Sequence, residues 1–336
     1  MAATMKDIAR VTGLGLATIS SYLNGGNVRE QNRVKIEQAI EDLHYEVNEV
    51  ARGLRTQATR TVGVVIPELN NVFCSQIITG MEDALRSEGY ATIVCDCRSD
   101  TGLEKEAIDF LVRKRVDGLV IVPTDIQGRN LREFLKSEKP LILIDRRIQG
   151  IHCDSVLVDN RSAASEAVLH LIKKGHRNIG IIGGPRDVFT SQERLDGYAA
   201  AHRMAGIPVQ ESLIMHGDYT IRSGARGIQK LISRNPHMTA VFVTNYEMTM
   251  GAVIGLNELS LKFPQDISIV GFDNLEFARA CSPSLTIVSQ PTVEIGEKAA
   301  EIMLCRLSSS GQDEEPKIIR LGTKLIEGRS VADISD

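Results

Sequence analysis

Polar side chains sit where several apolar runs of this chain stop: Asp145 and Arg146 after PLILI, Asp159 after VLV, Asn245 after TAVFVT, and Asp273 after SIVGF. Carboxylates, a guanidinium and an amide in such places suit hydrogen-bonded recognition of a small polar ligand. A second stretch, LGLATISSYLN from Leu14 to Asn24, suits a larger partner. At about 100° per residue, Ile19, Tyr22 and Leu23 share one helical side, opposite Ala17, Ser20, Ser21 and Asn24. That polar side carries no long charge, and small hydroxyls with an amide permit close approach to a surface. Sequence motifs of covalent or phosphoryl chemistry are missing. There is no G-x-x-x-x-G-K-[ST], no G-x-S-x-G and no His/Cys metal spacing, and GIIGGP lacks the dinucleotide spacing. A binding protein is expected, with no enzyme activity, cofactor or metal.

The 336 residues are 43% hydrophobic and 24% charged, ordinary for a globular chain with room for two or three domains. Without Trp, and with 4% aromatic residues, a broad aromatic platform for carbohydrate is not expected. Net charge is −4, with 8 Lys and Arg against 7 Asp and Glu in residues 1–60, and 31 against 36 beyond them. The first segment alone should therefore hold DNA phosphates weakly. Cys74, Cys95, Cys97, Cys153, Cys281 and Cys305 read as reduced core thiols, although Cys95 and Cys97 would share one strand face. The opening MAATMKDIAR has no apolar core for a secretory signal, and no run approaches 18 apolar residues. A cytoplasmic protein away from membranes is expected. The closing VADISD shows no leucine heptads, which favours a dimer over a tetramer.

Three helices are expected in the first sixty residues. Thr4-Met5-Lys6-Asp7 resembles a capping box with Asp in place of Glu, opening a helix to about residue 12. Gly13 and Gly15 frame a turn into the helix quoted above, and Asn24-Gly25-Gly26-Asn27 ends it. A longer helix over 30–44 draws its apolar set from Val34, Ile36, Ile40 and Leu43. Two helices joined by a short Gly turn make a helix-turn-helix pattern. NEVARGL, residues 48–54, reads as a short helix before a polar linker, with a domain boundary near residue 60.

Beyond the boundary, TVGVVIPE, YATIVCDC, DGLVIVPT, PLILIDRR, NIGIIGGP, TAVFVTN and DISIVGF alternate with helical segments such as SQIITGMEDALRSEG. Strands alternating with helices predict doubly wound parallel sheets. A stretch this long predicts two α/β subdomains, about 61–160 plus 291–320, and about 161–290 plus 321–336. Ligands of such sheets sit at the carboxyl ends of the strands.

The motifs TMKDIARVTGLGLATISSYLN, LHYEVNEVARGLRT, TRTVGVVIP, VDGLVIVP, LIDRR, VLVDN, GHRNIGIIGG, QERLDGY, TNYEMTMGA, SIVGFDN and LTIVSQP run in order along the chain. In that order and spacing the sequence resembles the lactose-repressor/galactose-repressor family of bacterial transcription regulators, over about residues 4–330. The resemblance implies a helix-turn-helix headpiece joined to a periplasmic-binding-protein-like core, in a homodimer that reads a pseudo-palindromic double-stranded DNA operator. A small effector, most simply a sugar, would bind between the subdomains and control operator affinity.

Carried over position by position, the resemblance assigns DNA contact to Thr4, Leu16, Ala17, Thr18, Ser20, Ser21 and Asn24 of the headpiece. Asn48, Ala51 and Leu54 fall on the hinge helix, where a Leu pair wedges open the central base step in the minor groove. Many relatives carry Arg where this chain has Ser21, so a bidentate guanine contact is not available here. The same carry-over places Asn71, Phe73, Cys74, Asp145, Arg146, Asn160, Thr190, Arg194, Tyr219, Asn245, Asp273 and Gln290 around the effector. Phe73 and Tyr219 would supply an aromatic face, and the charged and amide groups would pair with vicinal hydroxyls. Cys74 and Tyr246 depart from the usual aromatic and Asp. A core answering to a nucleobase or a phosphorylated carrier protein, and a non-regulatory sugar-binding protein, are the alternatives. Leu54→Ala is expected to weaken operator binding and lessen DNA bending while leaving ligand affinity of the core unchanged, as a DNA-bending assay beside ligand titration will read.

Overall fold

A computed structural model of the chain describes residues 3–23, 26–45, 58–308 and 315–335. It divides into two compact units, residues 1–60 and 61–336. Asn24 and the hinge positions Asn48, Ala51 and Leu54 lie outside the described residues.

The first unit holds α1 (Met5–Thr12), α2 (Leu16–Leu23) and α3 (Glu30–Asp42). The backbone N–H and the hydroxyl of Thr4 both donate to Asp7 Oδ2, at 3.0 and 2.7 Å, which fixes the start of α1. Gly13 ends it with φ +68°, a left-handed turn that glycine adopts without strain. Ile8, Ile19, Ile36 and Ala39 form the buried centre, with Leu14, Tyr22, Leu23, Ile40 and Leu43 packed around them. Val34, read from the sequence as core, is instead 57% exposed, and Ala39 fills the space on the inner face. The Tyr22 hydroxyl donates to Glu37 Oε1 at 2.8 Å, tying α2 to α3.

The second unit begins with β1 (Thr61–Ile66), α4 (Val72–Ser87), β2 (Ala91–Asp96), α5 (Thr101–Lys114), β3 (Gly118–Ile121), α6 (Arg132–Leu135), β4 (Leu141–Ile144) and β5 (Asp154–Val158). It continues through α7 (Asn160–Lys173), β6 (Ile179–Gly183), α8 (Phe189–Met204), β7 (Ile214–His216), α9 (Ile221–Arg234), β8 (Ala240–Val243), α10 (Tyr246–Glu258), β9 (Ser268–Phe272) and α11 (Leu275–Ala280). The final elements are β10 (Thr286–Ser289), α12 (Thr292–Leu307), β11 (Ile318–Leu321) and β12 (Lys324–Ile326).

Two six-stranded sheets result, ordered β11-β5-β4-β3-β1-β2 and β12-β10-β9-β8-β6-β7. The first is parallel throughout, whereas β12 joins the second antiparallel to β10. The chain crosses between the two halves after β5, after β10 and after β11. Both faces of each sheet are covered. Along β1, Val62, Val64 and Ile66 enter the cluster under α4 and α12, while Val65 enters the cluster under α5. All six cysteines are free thiols, and Cys97 lies in that α5-side cluster with Cys95 packed against it. A buried ion pair sets the edge of the first sheet: Arg306 Nε and Nη2 each donate to the Asp154 carboxylate at 2.9 Å, and Lys317 N–H adds a third donor at 2.7 Å. Among the described residues, no helix is long and apolar enough to cross a membrane.

Helix pairs outside the sheets meet through glycine. A Cβ built on Gly296 of α12 would stand 2.1 Å from the Ile77 carbonyl oxygen of α4, and one on Gly251 of α10 would stand 2.0 Å from Ile221 O of α9. Gly296→Ala is therefore expected to destabilise the core by about 1–3 kcal/mol, despite the better helix propensity of Ala. Thermal unfolding will show this as a midpoint lowered by several degrees.

Candidate functional site

The carboxyl ends of both sheets open onto one cleft of about 670 Å³, part of it solvent. From the first half come Asn71, Phe73 and Cys74 after β1, Val122 after β3, and Asp145 with Arg146 after β4. From the second half come Thr190 and Arg194 on α8, Tyr219 after β7, Asn245 after β8 and Asp273 after β9, with Gln290 on the crossing after β10. Eleven of the twelve effector positions named from the sequence thus line one space. A neighbouring hollow shares Phe73, Tyr246, Asp273 and Gln290 with it and prolongs the cleft past Tyr246.

Asn160 differs. It is fully buried behind the wall, where its Oδ1 accepts from Arg194 Nε at 2.8 Å and its amide faces the Val158 carbonyl. Its role is to hold Arg194, because a buried guanidinium must be paired on every side the protein can reach. Arg194 Nη1 donates to Thr244 O at 2.5 Å, and the guanidinium stacks 4.0 Å over the Phe272 ring. Arg194 also lines the cleft.

Asp145 and Asp273 share a backbone device. Each lies just past a strand with positive φ, +63° and +60°, which turns its carboxylate out of the sheet line. Gln290 Nε2 donates to Asp273 Oδ1 at 2.8 Å. Arg146 Nη1 donates to Pro123 O at 3.0 Å, and its Nε lies 3.7 Å from Asp145 Oδ2. Two buried atoms on these side chains have no hydrogen-bond partner: Arg146 Nε, a donor, and Gln290 Oε1, an acceptor. Orphaned buried polar groups are costly.

Tyr246, noted from the sequence as a departure from the usual Asp, also lines the cleft, as do Glu68 and Glu247, which were not among the site residues read from the sequence. Glu247 is the most consequential. Asn71 Nδ2 and Asn245 Nδ2 donate to its two oxygens, each at 2.6 Å, from opposite halves of the core. Both asparagines also cap helices, Asn71 Oδ1 accepting from Cys74 N–H and Asn245 Oδ1 from Met248 N–H. Burial, with Asp273 and Glu68 nearby, lifts the Glu247 carboxyl to about 7. Burial and Asp145 lift Asp273 to about 6, against the pull of Arg194 and Gln290. Burial pushes the Cys74 thiol up to about 12.

In the first unit, Leu16 and Ala17 are exposed at the start of α2, while Thr18, Ser20 and Ser21 are half-buried. Thr4 is exposed but engaged with Asp7. The opposite side of α2 is the one sealed by Ile19.

Residues 4–48 match the bacterial regulatory proteins of the lacI family, and residues 59–327 match the periplasmic binding proteins and sugar binding domain of that family. The chain belongs to the LacI family. Catabolite control protein A of Priestia megaterium is 34% identical over 305 residues, 90% of this chain and 92% of that protein. The lac repressor dimer bound to operator and the anti-inducer ONPF superposes with a TM-score of 0.87 at 25% identity, covering 99% of this chain and 100% of that one. A complex of the regulator CelR with cellobiose gives 0.74 at 29% identity, covering 98% and 99%. As a LacI-family member this chain is a transcription regulator, not an enzyme.

The lifted carboxyls make stability depend on pH. Glu247 and Asp273 bind protons more tightly in the folded chain than in the unfolded one, so folding weakens as pH rises from their ordinary 4.5 and 3.8 to about 7 and 6. The thermal midpoint of the ligand-free protein is expected to fall between about pH 4 and 7. Asp273→Asn should flatten that slope and add about 1–2 kcal/mol at the alkaline end, read by calorimetry at several pH values.

Proposed function

We propose that this LacI-family regulator is a cytoplasmic homodimeric repressor whose grip on a pseudo-palindromic operator is set by a sugar bound between the two halves of its core. The observation that carries the effector half is the cleft itself. Aromatic walls from Phe73, Tyr219 and Tyr246 stand beside a buried donor and a buried acceptor that the protein leaves without partners. The family's sugar-binding domain and the cellobiose complex of a relative support the same ligand class.

On the DNA side, α2 lies in the major groove and presents Leu16, Ala17, Thr18, Ser20, Ser21 and the following Asn24, with Thr4 on the flanking backbone. Support comes from the exposure of the first two and from the packing of Ile19 on the opposite side. Asn48, Ala51 and Leu54 complete contact in the minor groove. Ser21 offers only a short hydroxyl, so the half-site is read without a guanidinium at that position.

A sugar alters the operator affinity only if it binds the closed and open cores unequally. Contacts to Asp145 and Arg146 on one half and to Asn245, Asp273 and Gln290 on the other give it that leverage. Asp273→Ala is the cleaner probe than truncation of Arg194, whose loss would strand the Asn160 and Thr244 oxygens inside the core. The variant is expected to bind operator as the parent does without sugar, and to need at least about tenfold more sugar for the same response. Gel-shift titrations of operator DNA against a sugar series decide it; a parental response in the variant removes Asp273 from the site.

A further inference from the structure

The cleft is acidic. Glu68, Asp145, Glu247 and Asp273 line it against Arg146 and Arg194, with no Lys or His. Both guanidiniums are partly engaged: Arg146 holds the Pro123 carbonyl and neighbours Asp145 but leaves its Nε without a hydrogen-bond partner, and Arg194 holds Asn160 and Thr244.

Helix N-termini are the usual seats for phosphate, and α4, α8 and α10 begin at this cleft, α8 without a side-chain cap. The ends of α4 and α10 are closed by their own asparagine caps, and the two cap amides turn to the Glu247 carboxylate. Glu247 therefore occupies the place an incoming anion would take at those two ends. Among the polar atoms of the wall, the acceptor Gln290 Oε1 is buried and has no hydrogen-bond partner. Beside it stands the Asp273 carboxylate, whose resolved side-chain partner is the Gln290 amide. Hydroxyl hydrogens satisfy such groups, whereas a phosphate brings further acceptors and negative charge to them.

Resting on the sugar reading above, we propose that the cleft selects an unphosphorylated sugar and excludes the phosphate ester of that sugar. Hydroxyls donating to Asp273 and Glu247 stabilise their charged forms, so uptake of the neutral sugar near pH 6.5 releases protons.

Isothermal titration of the full chain with common pentoses, hexoses and disaccharides, each beside its terminal phosphate monoester, tests this. The expected result is that a neutral sugar binds and its ester binds about 100-fold more weakly or not at all. Repeating the titration in two buffers of different ionisation enthalpy should show proton release with the neutral sugar. In Glu247→Gln the neutral sugar is expected to bind more weakly than in the parent, while the gap to its ester narrows about tenfold. If that variant does not fold, Glu68→Gln on the exposed rim should narrow the gap in the same direction. An ester that binds as tightly as its parent sugar overturns the proposal even though the sugar reading stands. A gap unchanged in a folded variant takes the discrimination away from these carboxylates and overturns it too. Binding by no member of the series, neutral or phosphorylated, sinks the sugar reading itself.

Discussion

One carboxylate receives a hydrogen bond from each half of the core. Glu247 stands in the first turn of α10, and its two oxygens accept from Asn245 on its own side and from Asn71 across the cleft. Because both asparagines also cap helices, the bridge fixes more than two side chains. It sets where α4 and α10 begin, and so where Phe73, Cys74 and Tyr246 stand around the ligand space. The bridge is strained electrostatically as well, since burial and neighbouring acids lift the proton affinity of Glu247. A ligand that supplies donors here relieves the acids and spans the same gap.

Much of this was visible in the sequence, for a physical reason. Strands at the centre of a parallel sheet are buried on both faces and read as unbroken apolar runs, as in TVGVVI and LILI. Polar residues ending those runs were therefore conspicuous, and four of the five noted at strand ends line the cleft. Asp159 instead caps α7 by accepting from Ser162 N–H. Two of the shorter strands carry no such signal. The strand β7 is three half-buried residues, and β11 alternates exposed with half-buried positions, so neither stands out from loop. The antiparallel docking of β12 leaves no local trace either.

Glu247 and Asn160 show the other limit of sequence reading. The partner of Glu247 across the cleft lies 176 residues away, and a Glu in the first turn of a helix is ordinary in itself. The available hint was its place just after a strand-ending Asn, where side chains turn toward the ligand space. Asn160 has the type and position of a ligand contact, but whether it faces the cleft or Arg194 is decided by how α7 and α8 pack. Helix crossing angles of that kind are a property of three-dimensional packing, not of any local pattern.

The three chain crossings between the halves also have a mechanical meaning. Gln290 lies on one of them, and Asn160, which steadies Arg194, starts the helix that follows another. Cleft-lining residues therefore sit at or beside the crossings. Three connections constrain sliding of the halves more than a single one would. The far ends of both halves stand away from these crossings. A small rotation about them becomes a larger swing at the periphery, with no need for any flexible element in between.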